Sequence, residues 1–327
     1  MLSFIIITII KVVVAFVVLL TIIAYVTLME RRILGFFQSR LGPNRAGFGG
    51  VLHPVADGIK LIFKEDIIPS QTNKVLHTLA PVLVLVPALM IIGVIPFGSQ
   101  IEILGKQIDM VISDLNVGVL YIFAVAALGI YGVILAGWSS NNKYSLLGGI
   151  RSSAQMISYE VSLGLSIVGI LMIANSLSLV DIVNSQDSFW RWFIFRQPLG
   201  FMLFLICAIA ESNRTPFDLP EAENELVAGF NTEYSGLKFG MFYIAEYGNV
   251  VNASAIATTL FLGGWQGPFL PPVVWFMIKL VAFLFFFIWI RATLPRFRYD
   301  QLMRFGWGVL LPLALLNILI TGLVMIL

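Results

Sequence analysis

The chain has 327 residues, of which 59% are hydrophobic and 12% charged, and its 20 basic and 18 acidic side chains give a net charge of +2. Soluble domains carry about 25% charged residues, so a chain with a mean hydropathy of +0.94 cannot cover a folded surface with polar groups and takes lipid as its main solvent. The charge balance gives no reason to expect nucleic acid as a partner, and the lone Cys207 excludes an intramolecular disulfide, a four-cysteine iron–sulfur site and zinc-finger spacing.

Apolar runs close to the roughly 20 helical residues that cross a bilayer of about 30 Å lie at 4–27, 76–96, 116–138, 153–175, 198–212, 238–262, 272–291 and 307–327. They predict an all-α integral membrane protein of about eight transmembrane helices, read as one polytopic membrane domain over 1–327. The fifth run is short before Glu211 and draws on the partly polar residues after it. The first run lacks a basic leading region and a small-residue cleavage site, and is expected to stay as a crossing. With no Arg- and Ser-rich presequence either, the protein is expected to be made with direct access to its membrane, in a bacterium or inside an organelle. His53, in the first inner loop, and His77, at the very start of the second run, are the only histidines. That placement argues against a haem held between intramembrane histidines.

The first run ends in Glu30-Arg31-Arg32. Basic residues there serve as topology anchors, a reading as good as any for Arg31 and Arg32. Glu30 gains nothing from such a role. The first inner loop, 28–75, continues with Arg40-Leu-Gly-Pro-Asn-Arg45 and then with Val51, Leu52, Val55, Ile59, Ile62 and Phe63 close to one helical stripe, Asp57, Lys60 and Lys64 lying elsewhere. This pattern predicts an amphipathic helix at the membrane interface, the alternative being a helix packed on other loops.

Within the later runs stand Glu160 in the fourth, Glu246 in the sixth and Lys279 in the seventh. A charge near the bilayer centre costs roughly 2.5–3.5 kcal/mol on insertion scales. The default for such a residue is a functional role, with an interhelical ion pair as the plainer one. Lys279 is as well explained by snorkelling or pairing.

The acidic fifth inner loop, 211–237, is the densest stretch. Pro216 and Pro220 break the helix before it. Asp218 is placed to cap a new helix, with Glu221 as its capping-box partner and Gly229 as the stop. Capping leaves Glu211, Glu223, Glu225 and Glu233 unexplained, with Arg214 as the only base among them. Crowded carboxylates beside apolar surroundings have raised pKa values and titrate as a set. Such a set suits proton transfer, or a response to a nearby change of charge.

Alternate crossings put Arg31, Arg32, Arg40, Arg45, Lys60, Lys64, Lys74, Lys143, Arg151, Arg214, Lys238, Arg291, Arg296, Arg298 and Arg304 on one side, and only Lys106, Arg191 and Arg196 on the other. Positive charge marks the inner side, so both termini are expected to face outward.

These segments, together with Ala56-Asp57-Gly58, Gly137-Trp-Ser-Ser-Asn-Asn-Lys-Tyr144, Gly149-Ile-Arg-Ser-Ser-Ala-Gln155, Ser158-Tyr-Glu160, the Glu211 to Tyr234 loop and Arg291-Ala-Thr-Leu-Pro-Arg-Phe-Arg-Tyr-Asp-Gln-Leu-Met303, resemble the membrane subunit of NADH:quinone oxidoreductase, respiratory complex I, that is usually called subunit one. The resemblance implies a position at the junction of the peripheral and membrane arms, forming the chamber that admits ubiquinone or menaquinone and coupling quinone reduction to proton translocation. It implies that Glu30, Arg31, Arg45, Asp57, Arg214, Asp218, Glu221, Glu223, Glu225 and Arg296 line or support that chamber, and that Glu160, Glu211 and Glu246 belong to a proton-coupling path. It implies no bound cofactor here, with the iron–sulfur clusters and FMN on partner subunits. Those partners are the hydrophilic quinone-site and cluster-bearing subunits, the small membrane subunits and the antiporter-like subunits. The membrane would be the bacterial inner membrane, or the mitochondrial inner membrane for an organelle-encoded chain. His53 stands where the family has Gln, and Gly308 where a larger polar residue is common. The rival readings are the membrane anchor of an energy-converting hydrogenase, a stand-alone proton-coupled transporter and a structural scaffold. Against the transporter, the paired broken helices of repeat transporters are not found.

Overall fold

The computed structural model describes residues 2–103, 106–218 and 227–327. The described helices are α1 (Leu2–Phe37), α2 (His53–Phe63), α3 (Lys74–Met90), α4 (Gly118–Ser139), α5 (Lys143–Ala174), α6 (Leu179–Asn184), α7 (Phe193–Arg196), α8 (Pro198–Glu211), α9 (Gly236–Phe261), α10 (Pro272–Thr293), α11 (Tyr299–Phe305) and α12 (Leu311–Ile326). A π-helical stretch, Gly306–Leu310, joins α11 to α12. Between α3 and α4 a small antiparallel hairpin pairs β1 (Gln100–Ile103) with β2 (Lys106–Asp109), Gln100 opposite Asp109.

Each predicted apolar run falls in a helix. Among the described residues six stretches are long and apolar enough to cross a membrane: Ile5–Phe37, Lys74–Gly93, Gly118–Ser139, Lys143–Ala174, Pro272–Thr293 and Tyr299–Ile326. Two more helices stand in the same bundle. α8 has 14 residues, about 21 Å at 1.5 Å per residue. α9 has 26 and carries Lys238, Glu246, Asn249 and Asn252 along its length. The expected extension of the fifth run past Glu211 does not occur; α8 stops there and the chain turns.

Two helices outrun their apolar stretches for identifiable reasons. α1 carries a buried stripe of Leu19, Ile23 and Val26. The next position on that face is the buried Glu30, so the helix continues to bring a carboxylate into the interior. α5 begins at Lys143, ten residues before its apolar run, and the added turns carry Ser145, Gly148, Gly149 and Ser152. Asn142 caps it by accepting from the Tyr144 amide at 2.9 Å. Small residues let helix backbones approach closely in a membrane, and a Cβ on Gly149 would stand 3.2 Å from Gly137 Cα on α4. Along α5 the buried Ser145, Ser152, Ser153, Ser158, Ser162 and Ser166 keep the seam narrow. Ser153 and Ser158 satisfy their hydroxyls on carbonyls four residues back.

The core gathers around α9, which packs on α1, α3, α8 and α10, and around α5, which packs on α4, α8 and α12. The loops after α1, α4, α8 and α10 meet at one end of the bundle, through contacts such as Asn142 Nδ2 to Glu233 Oε1 at 2.7 Å and Phe297 N to Pro216 O at 3.1 Å. At the opposite end Ser178 Oγ reaches Asp114 Oδ1 at 3.0 Å and Lys11 Nζ reaches Val111 O at 3.2 Å.

α2 lies beside α1 and α9 at the first of these ends. Its stripe of Leu52, Val55, Ile59, Ile62 and Phe63 is exposed, Phe63 at 85%. No described part of the chain covers this stripe, while Leu61 on the other face lies against Gly240 of α9.

The seam between α3 and α4 has no slack at Gly132, where a Cβ would lie 2.5 Å from Val84 Cγ2 and 2.9 Å from Ala80 O. Gly132→Ala is expected to cost about 1–3 kcal/mol by overpacking. Gly129→Ala, where nothing stands within 4 Å of the added atom, is expected to be neutral or to gain up to about 1 kcal/mol from helix propensity. Melting temperatures of the two purified variants compare them directly.

Candidate functional site

Four charged side chains from distant parts of the chain converge in the interior. Glu30 on α1 is 5% exposed and Arg214, just after α8, is 6% exposed. Arg214 Nη1 donates to both Glu30 oxygens, at 3.2 and 3.1 Å, and its Nε stands 2.7 Å from Glu246 Oε1 on α9. Arg291, at the end of α10, forms a close ion pair with the same Glu30. Two carboxylates therefore meet two guanidiniums, of which Arg291 is still partly exposed. The flat face of Arg214 lies over the Tyr247 ring, 4.1 Å from its centroid, and Tyr247 shares a 3.0 Å hydroxyl contact with Tyr243.

Local sequence explains how each group arrives. Glu30 follows the α1 stripe. Arg291 extends the buried face formed by Phe276, Leu280, Phe283, Leu284 and Phe287 on α10. Glu246 and Tyr247 are neighbours on the most enclosed helix, with Tyr243 one turn earlier. Arg214 is set by the turn that ends α8. Gln155 of α5 clamps that turn, donating from Nε2 to Ala210 O at 2.8 Å, to Phe217 O at 2.8 Å and to Asn213 Oδ1 at 3.3 Å.

Two further pairs flank this centre. Arg296 Nη2 donates to Asp218 Oδ2 at 2.9 Å, and the Phe217 and Phe297 rings stack beside them, 5.6 Å between centroids. Arg31 Nη1 donates to Asp57 Oδ2 at 2.7 Å, where Lys60 at 3.5 Å and His53 at 3.8 Å also approach the same carboxylate. His53 thus joins the Asp57 group as an i, i+4 neighbour. Arg45 is exposed and joins neither pair.

Burial and charge act in opposite senses on these groups. Burial works against the Arg214 cation, but Glu246 and Glu30 outweigh it and hold the guanidinium well above its ordinary value. Burial pushes the Asp218 carboxyl up, and Arg296, Arg291 and Arg214 only partly pull it back. Asp218 is therefore readier than a solvated carboxylate to hold a proton, and its Oδ1 has no hydrogen-bond partner among the described residues.

Glu211, Ser212, Asn213, Glu246 and Asn249 line a cavity of about 40 Å³. Glu211, Ser212, Asn249 and Asn252 line a second, of about 50 Å³. A buried water needs about 10–15 Å³ of such space, so each has room for a few. Glu160 lies within electrostatic reach of Glu211 and forms no ion pair of its own among the described residues. Of the residues singled out by sequence, the structure joins Glu30, Arg214 and Glu246 in one cluster. Arg31 with Asp57 and Asp218 with Arg296 stand as flanking pairs, Glu211 and Glu160 lie along the cavities, and Arg45 stands apart. Glu221, Glu223 and Glu225, with the capping box expected at Glu221, lie outside the described residues. Sequence reasoning passed over Gln155, Arg291, Tyr243 and Tyr247 as site residues. A lone amide inside a crossing marks Gln155, since buried amides need partners, and the i, i+4 tyrosines flanking Glu246 mark the other helix.

Comparison with known proteins finds matches along nearly the whole chain. Residues 10–322 match the family described as NADH dehydrogenase. The chain is 56% identical to an NADH-quinone oxidoreductase subunit of Geobacter sulfurreducens, over 96% of this chain and 93% of that protein. It is 55% identical to the same-named NADH-quinone oxidoreductase subunit of Syntrophotalea carbinolica, over 93% of this chain and 91% of that protein. With the corresponding protein of Thermomicrobium roseum the identity is 53%, over 94% and 92%.

Removing one partner of a buried ion pair strands the other and costs about 3–5 kcal/mol. Arg214→Gln is expected to lose that much, with loss of folded protein on mild heating, whereas Arg45→Gln is expected to melt with the parent. For Asp218 the folded carboxyl holds its proton to a higher pH than the unfolded one, so its contribution to stability falls as pH rises from the ordinary carboxylate value through the raised one. Asp218→Asn is expected to flatten that part of the melting temperature against pH.

Proposed function

Because the chain belongs to the NADH dehydrogenase family, we propose that it is the membrane subunit of a proton-pumping NADH:quinone oxidoreductase, forming the quinone chamber where peripheral and membrane arms meet. The observation that carries this reading is the balanced cluster of Glu30, Arg214, Glu246 and Arg291 beside cavities lined by Glu211. A site that must answer a change of charge needs buried charges poised against one another, and this one has them at the end where four loops meet. The enzyme is a multi-subunit one, and this chain contributes the chamber rather than a redox centre. Electrons come from iron–sulfur clusters and FMN held by the hydrophilic partners. The small membrane subunits and the antiporter-like subunits adjoin it within the bilayer of a bacterial inner membrane.

In this reading the chain crosses the membrane eight times, α8 and α9 joining the six longer apolar stretches, and both termini face outward. The basic loops and α2 lie inward, the apolar stripe of α2 resting on lipid at the chamber's mouth. The whole of 1–327 is then one membrane domain, with 28–75 as the loop that carries α2 and 211–237 as the acidic loop, whose Glu221, Glu223 and Glu225 are assigned to the chamber by their motif alone.

Quinone reduction to quinol takes up two electrons and two protons. Arg31 with Asp57 and Arg296 with Asp218 are the groups best placed to bind the headgroup, Asp218 holding a proton for it, and Arg45 stands at the loop that leads in. Loss of that proton, the quinol's second proton coming from solvent at the loop end, leaves a carboxylate whose new charge Arg214 and Arg291 must balance. The imbalance shifts Glu246 and, through the cavity, Glu211 and Glu160. That lateral shift drives translocation, in which each charge moved against the membrane potential requires about 2.3 kcal/mol per 100 mV.

Glu160→Gln and Glu211→Gln are each expected to lower protons pumped per NADH in the assembled enzyme in vesicles. Asp218→Asn and Arg296→Gln are expected to raise the KM for quinone. Wild-type pumping in both glutamate variants would remove those residues from the path, and an unchanged quinone KM would remove the Asp218 pair from the chamber.

A further inference from the structure

Asn249 lines both cavities and has no part in the charged cluster described above. It stands on α9 three residues after Glu246, and residues three or four apart share a helix face. Glu246 and Glu211 both line the cavity of about 40 Å³, and Glu211 also lines the one of about 50 Å³. The polar residues common to the two walls are Glu211, Ser212 and Asn249.

The neighbouring polar side chains are spent on the fold. Asn252, one turn further along α9, ties that helix to α3 by donating from Nδ2 to Ala88 O at 2.7 Å. Ser212 donates to Ile209 O at 2.9 Å, and Asn213 Nδ2 donates to Ser152 Oγ at 3.3 Å. The Asn249 carboxamide, by contrast, forms no hydrogen bond among the described residues. It brings two donors and an acceptor to a place where such groups are normally satisfied. With nothing in the chain to bind, it is set to bind what the cavities hold.

The rest of the wall decides what that is. Val84, Val133, Met156, Phe230 and Phe242 make much of the smaller cavity apolar. An apolar cavity stays dry, whereas a buried water sits where about two to four polar groups converge on it. Two carboxylates alone supply acceptors when ionised. The unspent donors of Asn249 add what such a water lacks, on the same wall as both acids.

We propose that Asn249 is a positioning residue that holds water between Glu246 and Glu211, so that a proton passes from one carboxyl to the other. The carboxyl that gives the proton is left as a carboxylate, the one that takes it becomes neutral, and each water between them hands on one proton as it receives another. The inference rests on the proton-coupling reading above and names the group on which the step between these two acids depends.

Asn249→Val and Asn249→Thr are compared in the assembled enzyme in vesicles, the initial rate of NADH-driven proton pumping being followed with a trapped pH dye. The two side chains share one branched shape and differ by a hydroxyl in place of a methyl group. Asn249→Val is expected to pump no faster than Glu211→Gln, and Asn249→Thr, which can again hydrogen-bond water, at a rate near the parent's. A role in packing alone gives both variants the same rate. Equal rates, high or low, therefore overturn the inference, as does slower pumping by Asn249→Thr than by Asn249→Val. If Asn249→Val does not assemble, Asn249→Leu, which is closer to asparagine in volume, replaces it in the same comparison. Glu211→Gln pumping at the parent's rate overturns the coupling reading itself. Slow pumping by Glu211→Gln, with equal rates in the valine and threonine variants, overturns only the part given to Asn249.

Discussion

The arrangement at the loop-rich end depends on one guanidinium. Arg214 bridges Glu30 and Glu246, and through Glu30 it reaches Arg291, so α1, α9, α10 and the turn after α8 are tied at a single buried point. Ionic contacts in a low-dielectric interior gain only when geometry and charge both close, and here two negative groups meet two positive ones. The Tyr247 ring covers the face of Arg214 that no carboxylate reaches. Because the balance is even, a proton gained or lost by either carboxylate leaves one net charge buried, and the neighbours must respond.

The same constraint accounts for the ordered turn that presents Arg214. Its backbone groups are held by Gln155, a single amide on a serine-lined helix, and its far side by the Phe217 and Phe297 stack that carries Asp218 to Arg296. Polar groups at this depth are satisfied by chain segments far apart in sequence. The ends of α8 and α10 are thereby fixed relative to each other, in addition to the contact of the Phe201 and Phe283 rings between the two helices.

Much of this was readable from the residues alone. The eight apolar runs all became helices because hydropathy over about 20 residues is a local property, and the prolines after Glu211 marked the end of α8. Glu30 stood out because an anion at the end of a crossing needs a reason, and the structure supplies it in Arg214. What could not be read was which acid meets which base: Glu30 and Arg291 are 261 positions apart, and no local pattern encodes that pairing. At α1 and α5 the helix outruns its apolar run, since a buried carboxylate and a glycine–serine seam lie on a helix that apolarity has stopped describing. Arg45, placed by motif with the chamber, belongs to an exposed loop, where sequence gives identity but not proximity.

The shortness of α8 bears on what places it. Its 14 residues cover about 21 Å, less than the roughly 30 Å of a bilayer's hydrocarbon. Buried amides tie both its ends to other helices: Gln197 at its start donates to Thr321 Oγ1 of α12 at 2.8 Å, and Gln155 of α5 donates to the Ala210 and Phe217 carbonyls at its finish. A helix too short to be positioned by the thickness of its surroundings is positioned by its neighbours instead.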